Sequence, residues 1–488
     1  MGLNLQNHLV SPLVWMPDNR TEECLLRSIM PKTFSGAVTP LLAWSLIVFF
    51  GTTFKNGILD VLSIKKSVQE LTASRNSPLV ILDIFRVCAI IWVMVNHTGS
   101  EGRIDVLDRL PSAKAFKASI HDHPIFGALL GNSALGVEIF LVLSGLLASL
   151  SWLRKVDLPF WKHYTEYLVH RWLRLFPSVA VFIYIASGPI MKAALPRYHA
   201  TMISACGASG ITSHLTFLGN WQLTPTCMGY LWYLGLDMQL QLMAPFLLQE
   251  LHVSPKKGIS IAIGAIGISA ALRALYCLIY GVCNKSDVDI PFISYPNEQP
   301  ETLAKIYGGL WEMYARPYTK WGPFIIGLLL GCAIAKINTR ISVAKSRALF
   351  LSFSLLAVLT VYGILPEYWS PGQGNTLYNT LYTALFRTVF AAAIATMIAA
   401  IVFRKNKIKV HPMWSVLARL TFAAYLIHMP VVYVFNHVQF LQEATNPYHL
   451  IAVVPFVAYL SFVAAFVFYI FVESPIGRLS NVVLKTIF

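Results

Sequence analysis

The sequence predicts an all-α polytopic transmembrane helical bundle of about 11 spans, one N-terminal span followed by a ten-helix core. Three observations predict it. Of 488 residues, 56% are hydrophobic and only 12% are charged, about half the charged share of an ordinary soluble domain. The mean hydropathy is +0.60. The apolar runs are long and continuous instead of alternating, so of the two architectures that satisfy every backbone group in lipid, helices are selected over a closed barrel. The net charge of +15 does not point to nucleic acid, because Lys and Arg gather in short loops between spans, where they set topology.

Residues 1–35 form a polar leader that contains the glycosylation sequon Asn19-Arg20-Thr21. Its length exceeds the n-region of a cleavable signal peptide. The first span is 36–53, and 54–78 is a cytosolic linker with Lys55, Lys65, Lys66 and Arg75. The core, 79–475, holds spans at 79–97, 125–150, 175–195, 230–248, 259–280, 322–335, 348–365, 384–403, 414–435 and 451–472, and 476–488 is a cytosolic tail. With this alternation one set of loops carries 21 Lys and Arg and the other 13. The positive-inside bias therefore puts the N-terminus in the lumen or outside and the C-terminus in the cytosol. Asn19 and the second sequon residue, Asn284, both fall on the luminal side, which the charge count did not use. No internal repeat is evident, which weakens an inverted-repeat transporter. The seven cysteines include no CxxC pair. Cys206 and Cys227 are both luminal, so a bridge is allowed but not deducible. No metal site is expected: His121-Asp122-His123 lies in a loop with no third ligand in sight.

Ionisable groups inside a span cost a few kcal/mol each, so they mark candidate sites. Span two carries Asp83, Arg86 and His97. Three and eleven residues of separation put all three on one helical face, with about 16 Å of rise between guanidinium and imidazole. Any one of them could be interhelical glue; three on a stripe favour a lined cavity. Span three carries Glu138, which needs a partner, with Arg86 or His97 as candidates. Ser144-Gly145 on the same span fits close helix packing. Before span four, Arg171 and Arg174 share a face at the cytosolic boundary. They are either headgroup anchors or a phosphate clamp. In span five Tyr233, Asp237 and Gln241 form a polar stripe; Trp232 and Tyr233 also suit an aromatic belt, which Asp237 does not. His428 in span ten reads first as hydrogen-bonded structure and second as a catalyst.

These motifs resemble the acyltransferase 3 membrane family in the family's order. The resemblance rests on Leu82-Asp-Ile-Phe-Arg86 to Asn96-His97-Thr98, Glu138-Ile-Phe-Leu-Val-Leu-Ser-Gly145, and Arg171-Trp-Leu-Arg174-Leu-Phe-Pro177. It continues through Trp232-Tyr-Leu-Gly-Leu-Asp237, Arg316-Pro-Tyr318 and Tyr425-Leu-Ile-His428-Met-Pro430. It covers about 79–475, and the extra first span and Arg316-Pro-Tyr318 look like the animal, nose-resistant-to-fluoxetine-type branch, without its large cysteine-rich N-terminal domain. The resemblance implies transfer of an acyl group from cytosolic acyl-CoA, a co-substrate, to a hydroxyl or amine on a small-molecule or lipid acceptor. No permanently bound cofactor and no nucleic-acid partner are implied; membrane lipid is the surrounding partner, and the endoplasmic reticulum membrane is favoured over the plasma membrane. Ile84-Phe85 and Asn96 stand where family members often carry small residues, which puts helix packing and acceptor shape in question.

The residues agree with that chemistry. An acceptor hydroxyl needs a general base, and His97 is the natural one. Arg171 and Arg174 suit the phosphates of CoA, and Glu138 or Asp237 could orient the imidazole. Arg86 lies nearer the cytosol and His97 nearer the lumen. Arg316, Tyr233, Trp232 and His428 are further candidates. The rival readings are a proton-coupled transporter of lipophilic molecules and a catalytically silent membrane regulator.

Overall fold

Helix ends follow local chemistry. In the computed structural model the described residues are 32–53, 58–74, 77–99, 123–132, 134–204, 206–222, 227–284, 300–369, 374–406, 408–435 and 448–487. The long helices are α1 (Phe34–Gly51), α2 (Ile81–Gly99), α3 (Leu135–Trp152), α4 (Phe160–Ser187), α5 (Trp232–Val253) and α6 (Pro255–Tyr280), then α7 (Pro317–Lys336), α8 (Val343–Tyr362), α9 (Thr376–Val402), α10 (Pro412–Phe435) and α11 (Tyr448–Phe468). Thr33, Ser342 and Asn375 cap α1, α8 and α9 by accepting from the amides of Gly36, Lys345 and Tyr378, which satisfies otherwise orphaned donors. Pro255, Pro317 and Pro412 open α6, α7 and α10, where a missing N–H costs nothing.

Each of the eleven expected spans falls on one of these helices, and the fold is an all-α polytopic bundle. Ten helices among the described residues are long and apolar enough to cross a bilayer. The eleventh, α5, has 22 residues and reaches about 33 Å; Asp237, Gln239 and Gln241 lower its hydropathy. The described residues contain no strand, only an isolated bridge between Ile341 and Arg404.

Boundaries differ at three spans. Span three divides into Pro124–Gly131 and α3; at the break Asn132 is buried and donates to the Val361 carbonyl (2.6 Å) and the Tyr382 hydroxyl (2.8 Å). Span four begins at Phe160, well before 175, so Arg171 and Arg174 lie within a helix instead of a loop. The reason is an aromatic stripe: Phe160 and Tyr167 each meet Trp152 at 5.7 Å, and Phe160 meets Phe246 at 5.4 Å. Span seven starts at Pro317, which takes Lys320 into the helix.

The centre of the bundle is α3, buried along most of its length. It packs on α7, with α2, α5 and α9 around it. Close approach of α3 and α7 requires glycine. A Cβ at Gly145 would stand 2.3 Å from the Phe324 carbonyl oxygen, and one at Gly327 would stand 2.2 Å from that of Val142. Small residues of this kind let membrane helices touch through their backbones. By contrast α1 is largely exposed, as a lipid-facing peripheral helix is. The linker and tail hold each other: Arg478, on the terminal helix Ser474–Ile487, donates to Glu70 (2.8 Å) and to the Ser63 carbonyl (3.0 Å).

Two disulfides, Cys206–Cys227 and Cys277–Cys283, close at one end of the bundle, where α4 and α6 finish and α5 begins.

Candidate active site

The last two turns of α2 meet the middle of α10. His97 Nδ1 lies 2.6 Å from His428 Nε2, with the rings nearly parallel at 4.9 Å. His428 Nδ1 lies 2.6 Å from the Tyr425 carbonyl oxygen. A carbonyl can only accept, so His428 carries its proton on Nδ1 and offers a lone pair at Nε2. In a neutral pair His97 therefore donates from Nδ1, and its Nε2 is the unprotonated nitrogen. A second histidine thus fixes the tautomer of the first, a role usually given to a carboxylate or carbonyl. Both rings are buried, and the ring of Tyr230 stands edge-on to His428 at 5.7 Å.

Asp83 and Arg86 occupy the opposite end of α2. Asp83 is buried and accepts from Ser415 Oγ at 2.6 Å, a tie between α2 and α10. Arg86 is half-buried and lies within electrostatic range of Tyr233.

Between the two ends, α3, α4 and α5 share a polar knot. Arg171 Nη2 pairs with Asp237 Oδ2, and Ser144 Oγ donates to Asp237 Oδ1. Gln241 Nε2 donates to Ser144 Oγ at 2.7 Å, and Tyr167 donates to Gln241 Oε1. Gly145 does the packing expected of Ser144-Gly145, while Ser144 serves this network. Tyr233 is in electrostatic range of Asp237, Arg171 and Tyr425, and its ring is 6.2 Å from that of Tyr425. A line of polar groups thus runs from Arg86 through the knot to the histidines.

Glu138 is placed apart from that line. Its Oε1 accepts from Lys320 Nζ and from Arg387 Nη1 (2.7 Å), all three side chains being buried. The expected partners Arg86 and His97 are replaced by these two cations. The imidazole of His97 is oriented by His428, while Glu138 and Asp237 are engaged by Lys320, Arg387 and Arg171. Aromatic faces wall the cluster: Lys320 Nζ sits 4.0 Å from the Tyr314 ring and 5.7 Å from that of Trp232, favourable for desolvated cations.

Arg174 is exposed one turn beyond Arg171 and in electrostatic range of Glu473. Arg316 is buried, donates to both oxygens of Glu312 and to the Asn220 carbonyl, and lies 4.8 Å over Trp221. It braces the loop before α5 against the start of α7. Asn284 is buried, and its Nδ2 donates to Asn379 Oδ1 at 2.8 Å. A glycan on that nitrogen does not fit this arrangement, because the donor it would replace is already spent inside the fold. Asn19 and His121 lie outside the described residues.

Lys320 and Arg387 were missing from the sequence-derived set. Arg387 was visible as a charge inside span nine, and Lys320 fell just outside span seven as hydropathy drew it.

The acyltransferase 3 profile, an acyltransferase domain, matches residues 79–470. The chain belongs to the acyltransferase 3 family. It is also 58% identical over 471 residues to the Caenorhabditis elegans protein "Regulator of hypoxia-inducible factor 1", covering 96% of this chain and 94% of that one. A second Caenorhabditis elegans protein, "Nose resistant to fluoxetine protein 6", is 24% identical over 477 residues. That match covers 88% of this chain and 53% of the relative, so the chain spans about half of that longer protein. Both relatives agree with the animal branch expected from the motifs. No solved structure matches.

Proposed function

We propose that this protein is an integral-membrane O- or N-acyltransferase that moves an acyl group from cytosolic acyl-CoA to a hydroxyl- or amine-bearing acceptor in or across the membrane. The observation that carries the proposal is the His97–His428 pair, with Nδ1 of His428 held by the Tyr425 carbonyl. It leaves Nε2 of His97 as a base of defined tautomer. In the step proposed, an acceptor O–H or N–H gives its proton to His97 Nε2 as the heteroatom bonds the thioester carbon. The C–S bond then breaks, and the same proton passes to the leaving CoA sulfur. Acid–base reuse of one imidazole balances the reaction without a metal or a held cofactor.

The family match over 79–470 supports the acyl-transfer chemistry. The line from Arg86 through Arg171 and Asp237 to Tyr425 supports a donor that reaches along the bundle toward the histidines. Arg174, exposed one turn from Arg171, is the candidate for a CoA phosphate beside Arg171, which is itself paired with Asp237. Both disulfides lie at the end assigned to the lumen by the charge bias, and disulfides persist in oxidising compartments. That supports a luminal N-terminus and cytosolic C-terminus, in the endoplasmic reticulum membrane by preference.

The test is turnover of radiolabelled acyl-CoA by protein purified into nanodiscs with extract from null cells as acceptor source, against His97→Gln. Label transferred by wild type and lost in the variant is the expected result. A second reading, a silent membrane regulator, is favoured by the name of the 58% identical relative. Full rescue of null-cell lipid and metabolite profiles by His97→Ala would select it.

A further inference from the structure

We propose that Tyr230 is a positioning residue for the histidine pair, held in place by the Cys206–Cys227 loop, so that this disulfide, far from being a passive staple, sets the geometry of the base. The inference rests on the acyl-transfer reading above.

The argument starts at the disulfide and follows the chain for three residues. Cys227 is buried, and its carbonyl accepts from His214 Nε2 at 2.7 Å. The helix Ala208–Leu215 presses directly on the bridge: a Cβ at Gly210 would stand 2.9 Å from Cys227 Sγ. The next residue, Met228, is fully buried at φ +42°, in the left-handed region. For a residue with a side chain that conformation is disfavoured, and it persists only where surrounding structure over-determines it. Here the determinants are the disulfide on one side and, on the other, the Met228 amide donating to the Met202 carbonyl at 3.0 Å. Cys206 and Met202 belong to the same segment, so one short stretch of chain pins Met228 twice.

Two residues later, Tyr230 makes two connections to the site. Its ring stands edge-on to His428 at 5.7 Å. Its carbonyl accepts from the Tyr425 hydroxyl, and the Tyr425 carbonyl in turn receives His428 Nδ1. The Tyr230 hydroxyl meets that of Tyr198 at 2.9 Å, and the Tyr198 ring stands edge-on to Tyr433, one turn past His428 on α10, at 5.5 Å. Tyr230 thus touches the histidine directly and also braces the residue whose carbonyl chooses its tautomer. A relaxed Met228 would carry Tyr230 off both contacts.

Three variants test this in nanodiscs. Tyr230→Ala should lower kcat about 10²-fold, the worth of a roughly 1 Å misplacement, with KM for acyl-CoA unchanged. Tyr230→Phe keeps the ring and the backbone carbonyl and should restore most of kcat. The Cys206→Ala/Cys227→Ala double variant should follow Tyr230→Ala. A second readout needs no turnover: mass-spectrometric mapping of diethyl pyrocarbonate labelling at His97 and His428. Labelling should rise in Tyr230→Ala and in the cysteine double variant, and stay at the wild-type level in Tyr230→Phe. Wild-type labelling in both disruptive variants would overturn the proposal. If wild type transfers no label while the labelling changes still appear, the positioning stands and the acyl-transfer reading fails instead.

Discussion

Nδ1 of His97 and Nε2 of His428 are 2.6 Å apart although 331 residues separate them in the chain. The contact turns a histidine that looked structural into the partner that decides which nitrogen of His97 holds the proton.

His97→Gln should cut acyl transfer by about 10²–10⁴-fold, the usual worth of a positioned general base. His428→Ala should also be damaging, by about 10²-fold, because the imidazole of His97 loses its orientation. Both proteins should insert and fold, and label transfer from acyl-CoA in nanodiscs measures the loss. Near wild-type turnover in well-expressed His97→Gln would move the base elsewhere.

Arg171 and Asp237 should behave as one unit. Arg171→Ala leaves the buried Asp237 carboxylate without its counter-charge, only Ser144 still donating to it, and should destabilise by about 3 kcal/mol, the low end for a broken buried pair because Arg171 is partly exposed. Asp237→Asn in the same chain should recover a large part of that loss. Arg174→Ala should raise the donor KM, as expected for lost ground-state binding. Thermal denaturation in detergent gives the first effect and initial rates the second. Additive single-variant losses for Arg171 and Asp237 would deny the coupling.

Glu138 holds two cations, so its loss is asymmetric. Glu138→Gln leaves Lys320 and Arg387 facing each other in the bilayer interior and should sharply lower folded yield. Lys320→Met combined with Glu138→Gln should recover more protein than Glu138→Gln alone, since replacing a buried ion pair is cheaper than halving it. Fluorescence-detected size exclusion compares both variants with wild type.

The packing of the helix Ala208–Leu215 on the Cys206–Cys227 bridge should weaken in acid. Burial pushes His214 down to about 4, against a weaker upward pull from the Cys227 carbonyl. Above about 6.5 the imidazole is neutral in both folded and unfolded chains. Between 6.5 and 4 the unfolded chain binds a proton that the folded one refuses, so stability falls as pH drops, and below 4 no further loss comes from this group. Melting temperatures between pH 7.5 and 4.5 should show that decline, and His214→Gln should flatten it. Equal slopes in both proteins would assign the acid sensitivity to other groups.

Much of the bundle was legible in the sequence because a bilayer makes apolar length itself the signal. The charges on α2 and the polar stripe on α5 could be read for the same reason, since nothing else explains a charge in a span. What periodicity could not supply was partnership. Glu138 meets Lys320 and Arg387 across 182 and 249 residues, and no one-dimensional pattern links such positions. Lys320 was missed because a lysine lowers local hydropathy and so pushed the drawn span past it; Pro317, a helix-opening signal, marked the true start. Asn284 shows the reverse error, a sequon that local sequence allows and tertiary burial closes.

The backbone contact of α3 with α7 limits how anything can enter. With Gly145 and Gly327 each against a facing carbonyl, the two helices touch backbone to backbone at those positions, and neither helix can slide without the other. Glu138 and Ser144 on α3 therefore travel with Lys320 on α7 as one rigid slab. On the acyl-transfer reading, a gate for acyl chain or acceptor would open along another seam, and the α2–α10 boundary is the one where the two histidines would part.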